Sequence, residues 1–213
     1  MFTTETFWSQ IGAYNDATLG VQVVMTVVAV VLMFFVFTKP SNRANILMKA
    51  FLSFAFAWNA IVFFLMYAEP SPFSYLGTVL FVIISILFAI DIFMKKIEFR
   101  LPDMKHMKYL TLFLILLVFL YPFIGYALGH VYPKTCTPLM PCPLTVFAIA
   151  LVAAAMPKID KKVFVALLPW ALLGLPKCLG ISDCYEDCIL FITGVYGIGI
   201  LAKKWKQIGN YKR

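Results

Sequence analysis

Residues 21–38 run for eighteen positions without a charge and are closed at once by Lys39, Pro40 and Arg43. A stretch of that length and apolarity is long enough to cross a bilayer as a helix. Six more apolar segments follow, at residues 50–68, 75–93, 109–128, 143–156, 163–175 and 188–202. The last three are short enough to suit re-entrant or interfacial pieces as well as spans. Over the whole chain 62 % of 213 residues are hydrophobic and 13 % charged, with a mean hydropathy of +0.90. A soluble domain carries about 25 % charged residues, so this chain lacks the polar surface to stand in water. It reads as an all-α integral membrane protein whose residues 1–213 form a single transmembrane domain. The bilayer is its first partner, and no room is left for a nucleotide-binding, protease or nucleic-acid module. Helices are expected because backbone in lipid must satisfy its own hydrogen bonds, and no alternating strand pattern suggests a barrel.

The charges test the number of spans. Lysine and arginine gather on the cytoplasmic side of a membrane protein. With seven transmembrane helices and the N-terminus outside, 16 of the 18 basic residues fall in cytoplasmic segments, and only Lys134 and Lys177 remain outside. Treating the sixth segment as a re-entrant hairpin moves the five C-terminal basic residues outward and spoils the separation. Seven spans with a cytoplasmic C-terminus is therefore the expected topology. The net charge of +8 then divides into +12 inside and −4 outside, and is a sign of orientation rather than of a polyanionic ligand.

Residues 1–20 hold no lysine or arginine, whereas a signal peptide carries positive charge ahead of its apolar core. Thr3 or Thr4 can cap a short helix with Phe7, Ile11 and Tyr14 on one face and Trp8 beside them. Aromatic residues favour the headgroup level, so a short amphipathic interfacial helix on the outer surface is expected over residues 3–19.

Polar chemistry collects on the outer side. All five cysteines, Cys136, Cys142, Cys178, Cys184 and Cys188, lie in the two loops placed there, in what is an oxidising compartment. Two disulfides with one thiol left over is one reading, and the sequence does not give their connectivity. The other is a thiolate metal site drawn from His130, Cys142, Cys184 and Cys188, since Cys184 and Cys188 stand one helical turn apart; soft ligands of this kind favour copper(I), zinc or mercury. No cofactor beyond such a metal is expected. Pro122 should kink the fourth span, Gly125 and Gly129 allow close approach of a neighbour, and Tyr126 and His130 share a helix face. Pro141, Cys142 and Pro143 give the fifth span a rigid start. Glu186 and Asp187 suit the N-terminus of the last helix, and facing His130 they would form a cluster able to hold a cation or a proton. Within the spans Asp91 is the one carboxylate, explained by an i, i+4 pair with Lys95. Pro169 and Trp170 interrupt the sixth span, and Gly194, Gly197 and Gly199 allow tight packing in the last.

The run Gly125-Tyr-Ala-Leu-Gly-His-Val-Tyr-Pro133, the Pro141-Cys-Pro-Leu-Thr145 piece and Tyr185-Glu186-Asp187 resemble an uncharacterised family of bacterial multi-span membrane proteins, domain of unknown function 6064. The resemblance implies a bacterial inner membrane and one cluster at the outer face, built from Gly129, His130, Tyr132, Pro133, Pro141, Cys142, Pro143, Thr145, Glu186 and Asp187. It brings no activity with it, and it leaves Cys136, Cys178, Cys184 and Cys188 outside the pattern.

No Walker loop, dinucleotide fingerprint, HExxH or nucleophile elbow is present. The last span has no lysine at its middle for a retinal pigment. A non-enzyme is expected, and the leading function is small-solute or ion transport through an outer vestibule lined by Tyr126, His130, Tyr132, Cys142, Thr145, Glu186 and Asp187. The alternatives are an accessory or scaffold subunit, packed in a homo-oligomer or a larger membrane complex, and an outer-face thiol or metal-dependent protein using Cys142 with His130.

Overall fold

A computed structural model describes residues 3–181 and 183–208. Its regular elements are all helical: α1 (Thr4–Thr38), α2 (Asn42–Trp58) continued by a π-helical stretch (Asn59–Tyr67), α3 (Pro72–Met94), α4 (Lys105–Ala127), α5 (Pro141–Ala154) and α6 (Lys161–Leu172). A three-residue turn α7 (Gly174–Pro176), a π-helical turn (Lys177–Ile181) and a 3₁₀ turn (Tyr185–Asp187) then lead into α8 (Cys188–Lys204). Helix starts are set by side-chain caps. Thr3 accepts from the Thr6 N–H, Ser41 from Ala44, and Ser71 exchanges bonds with Ser74 ahead of Pro72.

Among the described residues six segments are long and apolar enough to cross a membrane: Thr4–Thr38, Asn42–Tyr67, Pro72–Met94, Lys105–Ala127, Lys161–Gly180 and Tyr185–Lys204. The remaining predicted segment is α5, which has 14 residues. That is about 21 Å of helix at 1.5 Å per residue, less than the roughly 30 Å hydrocarbon layer. Every residue of α5 is buried, with α2, α4, α6 and α8 packed around it. A helix sheathed by protein along its whole length is released from matching the bilayer, which is why it is short and apolar on all sides. The outward faces of the surrounding helices carry Val24, Phe34, Ile61, Phe93, Phe113 and Ile192, the composition of a lipid-facing surface.

Two expectations are corrected. The N-terminal segment is no separate interfacial helix; it is the first half of one 35-residue helix. No proline divides residues 15–21, and the polar residues there bond to protein. Asn15 Nδ2 donates to the carbonyls of Pro133 (2.6 Å) and Thr135 (2.7 Å), Gln22 Nε2 donates to Asn15 Oδ1 (3.1 Å) and Thr18 Oγ1 (2.9 Å), and the Thr137 hydroxyl donates to Gln22. Phe7, Ile11 and Tyr14 do share a face, but that face is buried in the protein core. The second correction concerns Asp91. Its carboxylate pairs at 2.8 Å with Lys49 of α2, not with Lys95, and accepts from the backbone N–H groups of Lys96 and Ile97 at 3.0 Å each. Lys95 ends α3 in the left-handed conformation, with φ of 53°, which breaks the i, i+4 register.

Pro122 stays inside α4, whereas α6 ends three residues after Pro169. Helices α6 and α8 approach so closely that a Cβ at Gly194 would stand 2.9 Å from that of Ala171.

Candidate functional site

Asp187 stands at the N-cap position of α8, and the preceding 3₁₀ turn carries Glu186. Both carboxylates are turned inward, 0 % and 1 % exposed. The connection between α4 and α5 folds over them, with Thr135, Cys136, Thr137, Leu139 and Met140 buried. The α6–α8 connection closes the other side. All five cysteines lie in this end of the bundle, opposite the end that holds Lys49 and Asp91.

One half of the cluster centres on Lys177. Its side chain turns inward from the π-helical turn and is 6 % exposed. The ammonium lies 3.8 Å from Asp187 Oδ2, donates to Cys142 Sγ at 3.3 Å, and sits 4.4 Å and 5.1 Å from the ring centres of Trp170 and Phe73. An ammonium over aromatic faces is held by the ring quadrupoles, an attraction that grows when water is excluded. Buried Tyr121 donates its hydroxyl to Asp187 Oδ1 at 3.2 Å. A recess of about 30 Å³ reaches Lys177 and Cys142 between Phe7, Gln10, Phe73 and Trp170.

The other half centres on Glu186. Its Oε1 is 3.0 Å from His130 Nδ1, and the His130 ring stacks on Trp8 with centres 3.9 Å apart. Glycine at position 125 suits this arrangement, because a Cβ there would stand 3.1 Å from both Glu186 Oε1 and Thr135 Oγ1 and would press both side chains back. Cys136 and Cys184 complete the group. The Cys184 thiol is held well above its ordinary range, first by its hydrogen bond to Cys136, then by burial and the nearby Asp187 carboxylate. For Cys136 that same hydrogen bond pulls downward, but burial together with Asp187 and Glu186 outweighs it and the net shift is upward. Both are therefore thiols rather than thiolates at neutral pH.

Of the vestibule residues expected from sequence, His130, Cys142, Glu186 and Asp187 are gathered here. Thr145 is buried on α5, but its hydroxyl bonds back to the Pro141 carbonyl at 2.8 Å. Tyr126 and Tyr132 point away, 70 % and 50 % exposed, because the helix face shared by Tyr126 and His130 ends at the turn after Ala127. Cys142 does not bond to His130; it faces Lys177, while His130 faces Glu186. Of the five cysteines, Cys178 and Cys188 lie at disulfide distance, with Cα atoms 5.4 Å apart, and Cys136, Cys142 and Cys184 are free. One bridge thus stands where two were expected, and it removes Cys188 from the candidate metal ligands.

Sequence reasoning missed Lys177, Tyr121, Trp8 and the pairing of Cys136 with Cys184. Lys177 did leave a trace. It is one of only two basic residues on the side the charge rule places outside, and apolar residues flank it in Leu175-Pro-Lys-Cys-Leu179.

Residues 4–210 match a family described as a family of unknown function, DUF6064. The chain belongs to that family. No curated protein and no solved structure matches it. In this DUF6064 protein the three sequence pieces that carry the resemblance, the third some forty residues after the second, meet around Glu186 and Asp187.

Proposed function

We propose that this DUF6064 protein is a seven-span transport protein that moves a small solute or ion across a bacterial inner membrane. In this reading it is one transmembrane domain, with the thiol-bearing end outside and the lysine-rich end in the cytoplasm. The separation of basic residues supports the orientation, and the sheathing of α5 supports counting it as a span despite its length.

The observation that carries the transport reading is a buried lysine–aspartate pair at the floor of a recess at each end of the bundle. At one end Lys177 lines the small recess, with Asp187 behind it; at the other Lys49, 2 % exposed, lines a cleft of about 340 Å³ together with Lys95, Phe99 and Arg100, with Asp91, 1 % exposed, behind it. Burying an ion costs several kcal/mol, and replacing a buried pair by well-packed apolar groups is often neutral or stabilising. A bundle that needed only to stand in lipid would gain nothing from two such pairs. Ionisable groups at membrane depth mark ion and substrate pathways by default. The small recess has room for roughly one or two waters, whereas the cleft at the lysine-rich end is about 340 Å³. Both floors present an ammonium, which favours a small anion.

Flux into proteoliposomes tests the proposal with a panel of anions, cations and neutral solutes. Uptake of a small anion that is lost in Lys177→Met and Lys49→Met is expected. Absence of flux for every member of the panel would overturn it.

A further inference from the structure

We infer that Cys136, Cys184 and Glu186 form a binding site for one thiophilic divalent cation of the zinc class. The two sulfurs and a carboxylate oxygen all lie within 4.8 Å of one another. The residues are 4 %, 0 % and 1 % exposed. Zinc bonds of about 2.3 Å to sulfur and 2.0–2.2 Å to oxygen put tetrahedral ligand atoms about 3.3–3.8 Å apart. The trio reaches that spacing by an inward shift of about an ångström, within the range of side-chain torsions.

Two further observations point to a ligand in this space. Glu186 Oε2 is buried and has no hydrogen-bond partner among the described residues. A carboxylate oxygen left in that state is costly, and native structures rarely tolerate it. The buried Thr135 hydroxyl beside it is likewise without a partner. The missing side chain at Gly125 leaves open the region that both Glu186 Oε1 and Thr135 Oγ1 border. A cation held by the two sulfurs and Glu186 would satisfy the orphaned carboxylate, with the fourth position open toward Thr135 or a water.

The surroundings supply the rest of a metal centre. His130 fixes the carboxylate through Oε1, in the way outer-shell hydrogen bonds orient ligating carboxylates. Binding a divalent ion to two thiolates and one carboxylate displaces two thiol protons and leaves one net negative charge. That equals the charge of the Glu186 carboxylate before binding, so no new counter-ion is needed and the Lys177 ammonium stays paired with Asp187. Soft sulfur ligands select zinc or cadmium over magnesium and calcium. This site does not rest on the transport reading, because metal uptake is measured without flux.

The test uses the purified full chain in detergent, reduced, freed of metal by a chelator and titrated with zinc or cadmium chloride. One ion per chain is expected, with thiolate-to-cadmium charge-transfer absorption, and zinc should protect Cys136 and Cys184 from alkylation as read by peptide mass spectrometry. Affinity should fall at least about 100-fold in Cys136→Ser/Cys184→Ser and about 10- to 100-fold in His130→Ala, the range for loss of an outer-shell partner. His106→Ala, at the opposite end, should leave it unchanged. Alkylation protection and cadmium absorption are read on the wild-type chain, so they decide the matter even if the double variant does not fold. No stoichiometric uptake by reduced wild-type protein, equal uptake by the double variant, or a Cys136–Cys184 disulfide forming in the presence of zinc would overturn the inference.

Discussion

Removing one partner of the Lys49–Asp91 pair separates the cost of burying charge from the benefit of pairing it. Lys49 Nζ contacts Asp91 Oδ2 at 2.8 Å and also donates to the Asp91 carbonyl at 3.2 Å. The carboxylate has two further donors, the N–H groups of Lys96 and Ile97, each at 3.0 Å. The two deletions should therefore be unequal. Lys49→Met leaves a carboxylate that still accepts two backbone bonds, so its cost should lie near the bottom of the roughly 3–5 kcal/mol range for breaking a buried pair. Asp91→Asn leaves a buried ammonium with a carbonyl in place of a carboxylate, and should cost near the top of that range. The double variant Lys49→Met/Asp91→Asn removes both charges and keeps the amide oxygen as an acceptor for one of the two backbone N–H groups. It should recover about 2–3 kcal/mol relative to the sum of the single variants, within the coupling energies that contacting residues show. At about 2–4 °C per kcal/mol for a chain of this size, Asp91→Asn should melt about 10–20 °C below wild type. Unfolding of the purified protein in mixed detergent micelles, by heat and by titration with a denaturing detergent, measures all four corners of the cycle. Additive single variants, or an Asp91→Asn protein as stable as wild type, would refute the reasoning.

Peptide mass spectrometry without reductant should find Cys178 joined to Cys188 and Cys142 free. Cys178→Ser/Cys188→Ser should lower stability by about 2–3 kcal/mol, as expected for closure of a loop with a separation of 10 residues. Because the hydrogen bond to Cys136 together with burial holds the Cys184 thiol up, and burial with the Asp187 and Glu186 carboxylates outweighs that hydrogen bond at Cys136, both lie above the ordinary value near 8.5 and the folded state keeps protons that the unfolded chain releases. Their contribution to metal-free stability is thus complete below about pH 8 and falls as pH rises further, which unfolding between about pH 7 and 10 should show; a Cys136→Ala/Cys184→Ala chain should show a weaker dependence. Gly125→Ala should cost about 1–3 kcal/mol by overpacking, with loss of the Trp8–His130 stacking read from tryptophan fluorescence. Unchanged stability and fluorescence would count against the close approach of Glu186 and Thr135.

The long apolar helices were legible in the sequence because each carries its apolar character along a continuous stretch. The predicted starts and ends of α3 and α4 lie within a few residues of those observed. The N-terminal reading found the right face, Phe7, Ile11 and Tyr14, and misassigned what covers it. Periodicity reports which residues share a side and is silent on whether lipid or protein lies there. Half of the candidate site was legible for a related reason. His130, Cys142, Glu186 and Asp187 are conspicuous as polar residues beside apolar runs, whereas Trp8 and Cys136 look like ordinary boundary residues.

What the sequence determined by itself is the apolar, helical character of this chain, because that is a sum over local composition. The tertiary structure alone decided the partners. Asp91 chose Lys49, 42 positions away, over Lys95 because a left-handed residue ends α3, and Lys177 met Asp187 and Cys142 because a broken α6 turns it inward. Which charge neutralises which depends on distances of 3–4 Å between residues remote in the chain. Those distances are fixed only when α5 is sheathed and α6 closes against Gly194 of α8.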